Sequence, residues 1–163
     1  MELRPRHVTL VVCRGDGEVI GELGPFAVES PWRQEVAPVV DTCERHFGVR
    51  PTILRLLDAD AEGPGGEVTY LAELDVRPSA IRPWAGELDD HPLRMPWARP
   101  GGPAADLAWA VEALESSGRS VVGSAEQIRT WNLSSLWQIP TGGGPAWLKA
   151  VPGFFAHEAA VMQ

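Results

Sequence analysis

Lysine is almost missing from this chain: Lys149 is the only one among fourteen Lys and Arg side chains. Cysteine is scarce as well. Cys13 and Cys43 have no metal-ligand spacing, which excludes a zinc module or a disulfide framework and suits buried apolar thiols in a reducing compartment. Excess positive charge is absent, because the formal net charge is −8. Such a chain has no broad basic surface for displacing counterions from nucleic acid or an anionic membrane. No long apolar run is present near the start either; the stretch 8–13 is broken by Thr9 and closed by Arg14, too short for a signal core or a membrane span. These absences lead to an expectation of a cytoplasmic protein with neither nucleic acid nor membrane as partner.

What is there reads as an α+β chain. Residues 7–13 (HVTLVVC) are rich in β-branched side chains and read as a strand, followed by a turn at Arg14-Gly15-Asp16-Gly17. A returning strand over 18–23 and a short third strand over 25–29 are expected next. Val36, Val39, Val40, Cys43 and Phe47 recur at helical spacing, with Pro38 suited to the first turn and Gly48 to the stop. Strands over 52–57 and 68–74 flank the acidic, glycine-rich loop 58–66 and complete a unit spanning 1–89. Residues 90–103 hold Pro92, Pro96, Pro100 and Pro103 and predict an extended linker, with Trp97 pinning it to a domain surface. In the last unit, 104–163, a helix carries Leu107, Ala110, Val111 and Leu114 on one face. Strands over 126–131, 136–140 and 146–151 follow, then a helical pattern from Phe154 onward.

The order of that last unit has a chemical logic. Arginine presents a broad planar fork, lysine a compact point charge, so a solitary lysine on an apolar strand suits a site touching nucleotide phosphates. Three strands, a lysine on the third and a glutamate on the next helix form the layout of a protein-kinase-like small lobe, where the carboxylate keeps the lysine from swinging. Here the pair is Lys149 and Glu158, and Asn132, Ser134 and Ser135 occupy the loop that covers phosphates. The runs Ser134-Ser135-Leu136-Trp137-Gln138-Ile139, Trp147-Leu148-Lys149-Ala150-Val151 and Phe155-Ala156-His157-Glu158 resemble the start of the aminoglycoside phosphotransferase/choline kinase family. The resemblance covers the last quarter of the chain. It implies ATP as ligand, with Lys149, Glu158, Ser134 and Ser135 as nucleotide-binding residues and an unknown small molecule as phosphate acceptor. It also implies that magnesium and catalysis belong to a C-terminal lobe whose His-x-Asp and metal-binding motifs are not in this sequence. The chain alone is therefore expected to be inactive, as the N-terminal piece of a longer phosphotransferase-like protein or a relic of one.

The first unit, with strands around one helix ending Cys43-Glu44-Arg45-His46-Phe47-Gly48, resembles Nudix hydrolases in the order of its elements. In that family the helix carries Arg-Glu and then Glu-Glu before the glycine; here those places hold Asp41, Thr42, Arg45 and His46. A guanidinium cannot replace a hard oxygen ligand, so a metal-free, Nudix-like accessory domain is expected. His7, His46, His91 and His157 have no metal-ligand spacing, and Asp58, Asp60 and Glu62 read as a solvated turn. Trp131, Trp137 and Trp147 are expected to form an apolar cluster. Two further readings are a non-enzymatic binding or assembly module and a divergent Nudix hydrolase; the latter requires a carboxylate cluster that the helix lacks.

Overall fold

The computed structural model describes residues 4–60 and 62–155. Strand β1 (Arg6–Cys13) lies at the centre of a four-stranded sheet of order β2-β1-β4-β3. It pairs antiparallel with β2 (Val19–Val28) and parallel with β4 (Gly66–Glu73), which in turn pairs antiparallel with β3 (Thr52–Ala59). A central strand is buried on both faces, which is why Val8, Leu10, Val11 and Val12 are all fully buried and the sequence reads as a continuous apolar run. The expected third strand over 25–29 is the far half of β2: the pairing with β1 shifts between Val8 and Leu10, and β2 continues to Val28 opposite Arg6. The register shift is a bulge, which bends a strand without ending it.

Helix α1 (Ala37–Phe47) has Pro38 in its first turn and ends at Gly48 with φ of 70°. Proline costs nothing there because the first N–H groups have no helical acceptor, and the left-handed φ is one glycine adopts freely. The helix buries Val39, Val40 and Cys43 against Leu10, Leu23, Ile53 and Tyr70 on one face of the sheet. The other face buries Val11, Cys13, Leu54 and Leu71, with Trp84 and Leu88 packed over them. Cys13 and Cys43 are free and buried on opposite sides, and burial pushes both thiols up to about 11. At pH 8 a thiol of that kind is only about one part in a thousand thiolate, the reactive form. Native protein will therefore label with a thiol reagent only as fast as it unfolds, and stoichiometric labelling within minutes would contradict the burial. Because the folded state holds these protons more tightly, the thiols' contribution to stability is flat well below pH 9 and is lost as pH rises toward 11, by about 1.4 kcal/mol per unit for each thiol.

A second, three-stranded antiparallel sheet has the order β5-β6-β7, with β5 at Glu126–Trp131, β6 at Ser134–Ile139 and β7 at Ala146–Ala150. Helix α2 (Gly102–Ser116) covers one face, placing Leu107, Ala110 and Leu114 on Trp137, Ile139, Ala146 and Leu148. The segment 90–103 is less extended than its prolines suggest: it turns at 92–93 and forms a 3-10 turn at Pro96–Ala98. Trp97 does pin it, being 3% exposed and donating its indole N–H to Trp131 O at 3.0 Å. Arg99 donates to the carbonyls of His91, Pro92 and Arg94.

The sheets meet along β5. Its outer edge receives Val36 N–H at Ile128 O and donates Thr130 N–H to Gln34 O. The Gln127 side chain spans to the edge of β3, donating to Ile53 O at 2.7 Å and accepting from Ile53 N at 2.8 Å. Among the described residues no helix is long and apolar enough to cross a membrane.

Candidate functional site

Strand alternation sorts the predicted residues into two groups. On the face covered by α2 lie Ser135, Trp137, Leu148 and Ala150; on the opposite face lie Ser134, Leu136, Trp147 and Lys149, with Leu136 directly across from Lys149. Ser134 and Lys149 thus share one side of the sheet. Ser135 does not: it is 1% exposed, and its hydroxyl accepts the Trp137 indole N–H at 3.2 Å. The hairpin joining β5 and β6 contains only Asn132 and Leu133, so little loop is available to fold over a ligand. Glu158 and His157 lie outside the described residues.

The same alternation dissolves the expected tryptophan cluster. Trp137 is 5% exposed in the core, whereas Trp131 and Trp147 project from the other face and are exposed. Neighbouring strands place residues on a common face only when the register pairs them in phase, and here Trp137 pairs with Leu148, not with Trp147.

Lys149 borders a cavity of about 420 Å³ that runs along the free edge of β7, with Trp109 and Asp106 of α2 opposite, Met95 and Trp97 at one end and Pro152 at the other. Burial raises the Asp106 carboxyl above its ordinary value. The wall is held close because Gly102, in the first turn of α2, sits against Pro96 O, where any Cβ would collide. Neither Asp106 nor Trp109 carries a sequence signal of its own; both become relevant through the packing of α2 on β7.

Met95 and Trp97 also border a second cavity, of about 320 Å³, between β3, the 89–98 segment and the end of β5. Arg55, Arg94, His91, Trp131 and Asn132 face it. Arg55 donates to Ala98 O at 2.9 Å and Asp89 O at 3.4 Å, and Arg94 donates to an Asp89 carboxylate oxygen at 2.8 Å. The Nε atoms of both arginines and Thr130 Oγ1 are buried without a hydrogen-bond partner. Each such orphan costs about 1–3 kcal/mol. Burial, and then the neighbouring Arg94 charge, lowers the Arg55 pKa, partly offset by Asp89. Arginines between apolar residues read in sequence as surface charges, so this cavity was invisible without the fold.

On α1, Asp41 and Glu44 both pair with Arg50. The first pair spans 3.3 Å and is well exposed, so its contribution is at most about 1 kcal/mol. His46 at the helix end is exposed and tilted against Phe26 and Phe47. Between β3 and β4, which extend further into the expected 58–66 loop than the sequence suggests, Asp60 accepts Glu67 N–H at 3.0 Å. Among the described residues no group of three or more His, Cys, Asp or Glu is placed to hold a metal ion. No protein-family model, curated protein or solved structure matches this chain.

Proposed function

We propose that β5–β7 form the nucleotide-facing sheet of a phosphotransferase small lobe resembling the aminoglycoside phosphotransferase/choline kinase family, with ATP as its ligand. In this reading Lys149 holds the phosphates, Glu158 orients it, and Ser134 supplies a hydroxyl on the same side. The incomplete small lobe spans 104–163, and 90–103 joins it to a metal-free, Nudix-like accessory domain over 1–89. Transfer to a small-molecule acceptor, and the magnesium it needs, belong in this reading to a catalytic lobe whose motifs this sequence does not hold. The observation that carries the reading is the position of Lys149: the only ammonium side chain lies on the third strand of an antiparallel meander, on Ser134's face, and borders an edge cavity whose other wall is α2. A point charge of that kind suits phosphate oxygens that approach from several directions.

Titrating the full chain with ATP, followed by tryptophan fluorescence, tests it. Loss of one charge-assisted phosphate contact in Lys149→Ala is expected to weaken binding about tenfold, equivalent to about 1.4 kcal/mol. Adenosine, lacking phosphates, should bind both proteins alike. Equal ATP affinity for the two proteins removes the assignment. The other reading, a non-enzymatic binding module, is favoured by the arginine-lined cavity.

A further inference from the structure

We infer that the cavity between the two sheets, bordered by Arg55, Arg94, His91, Trp97, Trp131 and Asn132, binds a small planar ring bearing a carboxylate or phosphate group. The inference is independent of the nucleotide reading, because Lys149 borders the neighbouring cavity on the far side of Met95 and Trp97.

Charge selects the anion. The chain carries a net charge of −8, yet this wall holds two guanidiniums side by side. Among the described residues Asp89 is the one carboxylate facing the cavity; its side chain is 74% exposed, and Arg94 already holds it. Asp16 and Asp90 lie behind the arginines, bordering an adjacent cavity. Arg55 makes no ion pair within 4.0 Å among the described residues; its hydrogen bonds go to the carbonyls of Ala98 and Asp89. A guanidinium has five N–H donors and keeps its charge at any ordinary pH, so Arg55 retains donors, and Asp89 and Asp90 offset its charge only in part, without direct contact to a carboxylate oxygen. Burial deepens the imbalance, since a desolvated cation gains most from an anion that replaces its lost water.

Hydrogen-bond accounting points the same way. Thr130 is 3% exposed, and its hydroxyl joins the two arginine Nε atoms as a buried polar group without a partner. All three residues border this cavity. His91 accepts Leu93 N–H at Nδ1, which leaves a neutral ring's proton on Nε2 as a further donor. The three orphan atoms are themselves shielded from solvent, so an oxyanion would meet the terminal NH groups of the arginines and the His91 ring N–H, in the forked geometry that arginine favours.

Size and the aromatic wall select the rest of the ligand. A volume of about 320 Å³ lies at the lower end of small-molecule sites and suits one ring with a substituent, not a nucleotide or a peptide. Trp131, 40% exposed, offers an indole at the mouth, and Asn132 offers an amide beside it. Trp97 is fixed by its indole N–H bond to the Trp131 main-chain carbonyl, which ties this wall to the end of β5 before a ligand enters.

The experiment is a ¹H–¹⁵N NMR titration of the full chain with benzoate, phenyl phosphate, inorganic phosphate and neutral benzamide. Benzoate or phenyl phosphate should shift the Trp97 and Trp131 indole signals and the Asn132 side-chain amide, and whichever binds tighter names the anionic group. Benzamide, the uncharged counterpart of benzoate, should bind at least tenfold more weakly. Arg55→Gln should weaken the anions tenfold or more, and Lys149→Ala should leave them unchanged. If Arg55→Gln does not fold, Trp131→Ala serves in its place and should lower affinity for the ring ligands while sparing inorganic phosphate. The inference is overturned if benzamide matches benzoate, if neither ring anion causes shifts at millimolar concentration, or if their shifts fall on Ala150–Gly153 around Lys149.

Discussion

Truncating Gln127 to alanine will lower the unfolding free energy by about 3 kcal/mol, although the residue borders neither cavity described above and lies in a polar-looking strand. Strand β3 is the edge of the first sheet, so the outward peptide groups of Ile53 have no fifth strand to pair with. The Gln127 amide takes that place, accepting from Ile53 N at 2.8 Å and donating to Ile53 O at 2.7 Å. Gln127 is 5% exposed and Ile53 fully buried, so alanine strands one donor and one acceptor away from water. At about 1–3 kcal/mol for each orphan, the pair outweighs the few CH₂ groups also lost. Urea denaturation measures the sum, and amide exchange at Ile53 reports the broken contact locally. Gln127→Glu separates hydrogen bonding from packing. Its carboxylate still accepts from Ile53 N but faces Ile53 O with negative charge, so near pH 7 it should be at least as damaging as alanine. A buried carboxyl has its pKa raised, so protonation comes early on acidification and restores a donor to Ile53 O. The glutamate variant should therefore recover relative to alanine as pH falls toward 4. A loss below about 1 kcal/mol for alanine shows that water substitutes for the amide.

That contact also marks where sequence reasoning stops. Helix α1 was legible because Val39, Val40 and Cys43 repeat at helical spacing between Pro38 and Gly48, and each signal has a local cause. The same holds for Leu107, Ala110 and Leu114 on α2, and for the β5–β7 meander with its short turns. Lys149 stands out in the sequence by its rarity and its strand, and the fold puts it at a cavity rim. Pairing Ser134 with Ser135 as equals overlooked the two-residue period of a strand, which sends adjacent side chains to opposite faces. The parallel pairing of β1 with β4 carries no local signal, since it depends on what happens between residues 13 and 66. Gln127 meets Ile53 across 74 residues, and Arg55 meets Ala98 across 43. Polar side chains buried by distant backbone look like any surface residue until the chain is folded.

Arg6 provides the second large effect, and it tests whether the two sheets unfold as one. It is 0% exposed, at the start of a central strand. Its guanidinium donates to Tyr70 Oη at 2.8 Å and Glu35 O at 2.9 Å, with a longer contact to Arg33 O at 3.4 Å. Tyr70 in turn donates its hydroxyl to Arg33 O at 2.8 Å. The arginine thereby fixes the 33–35 backbone, whose Gln34 O accepts Thr130 N–H from β5. Hydrogen bonds to a charged group contribute about 1.5–3 kcal/mol each, less the cost of burying the cation, so Arg6→Ala should lose about 3–4 kcal/mol. Arg6→Lys keeps the charge but has no fork to reach two carbonyls and a phenol, and should recover less than half of that loss. Tyr70→Phe should cost about 1 kcal/mol and couple to Arg6→Ala in a double-mutant cycle, since one network holds both. Amide exchange at Thr130 should accelerate in the Arg6 variants even under conditions where the protein stays folded. Arg6 and Gln127 secure β5 against the first sheet at separate points. If their combined loss departs from the sum by more than about 0.5 kcal/mol, β5 transmits strain between the points and the sheets form one cooperative unit. Strict additivity together with two separate melting transitions would instead establish the β5–β7 sheet as an independently folding part.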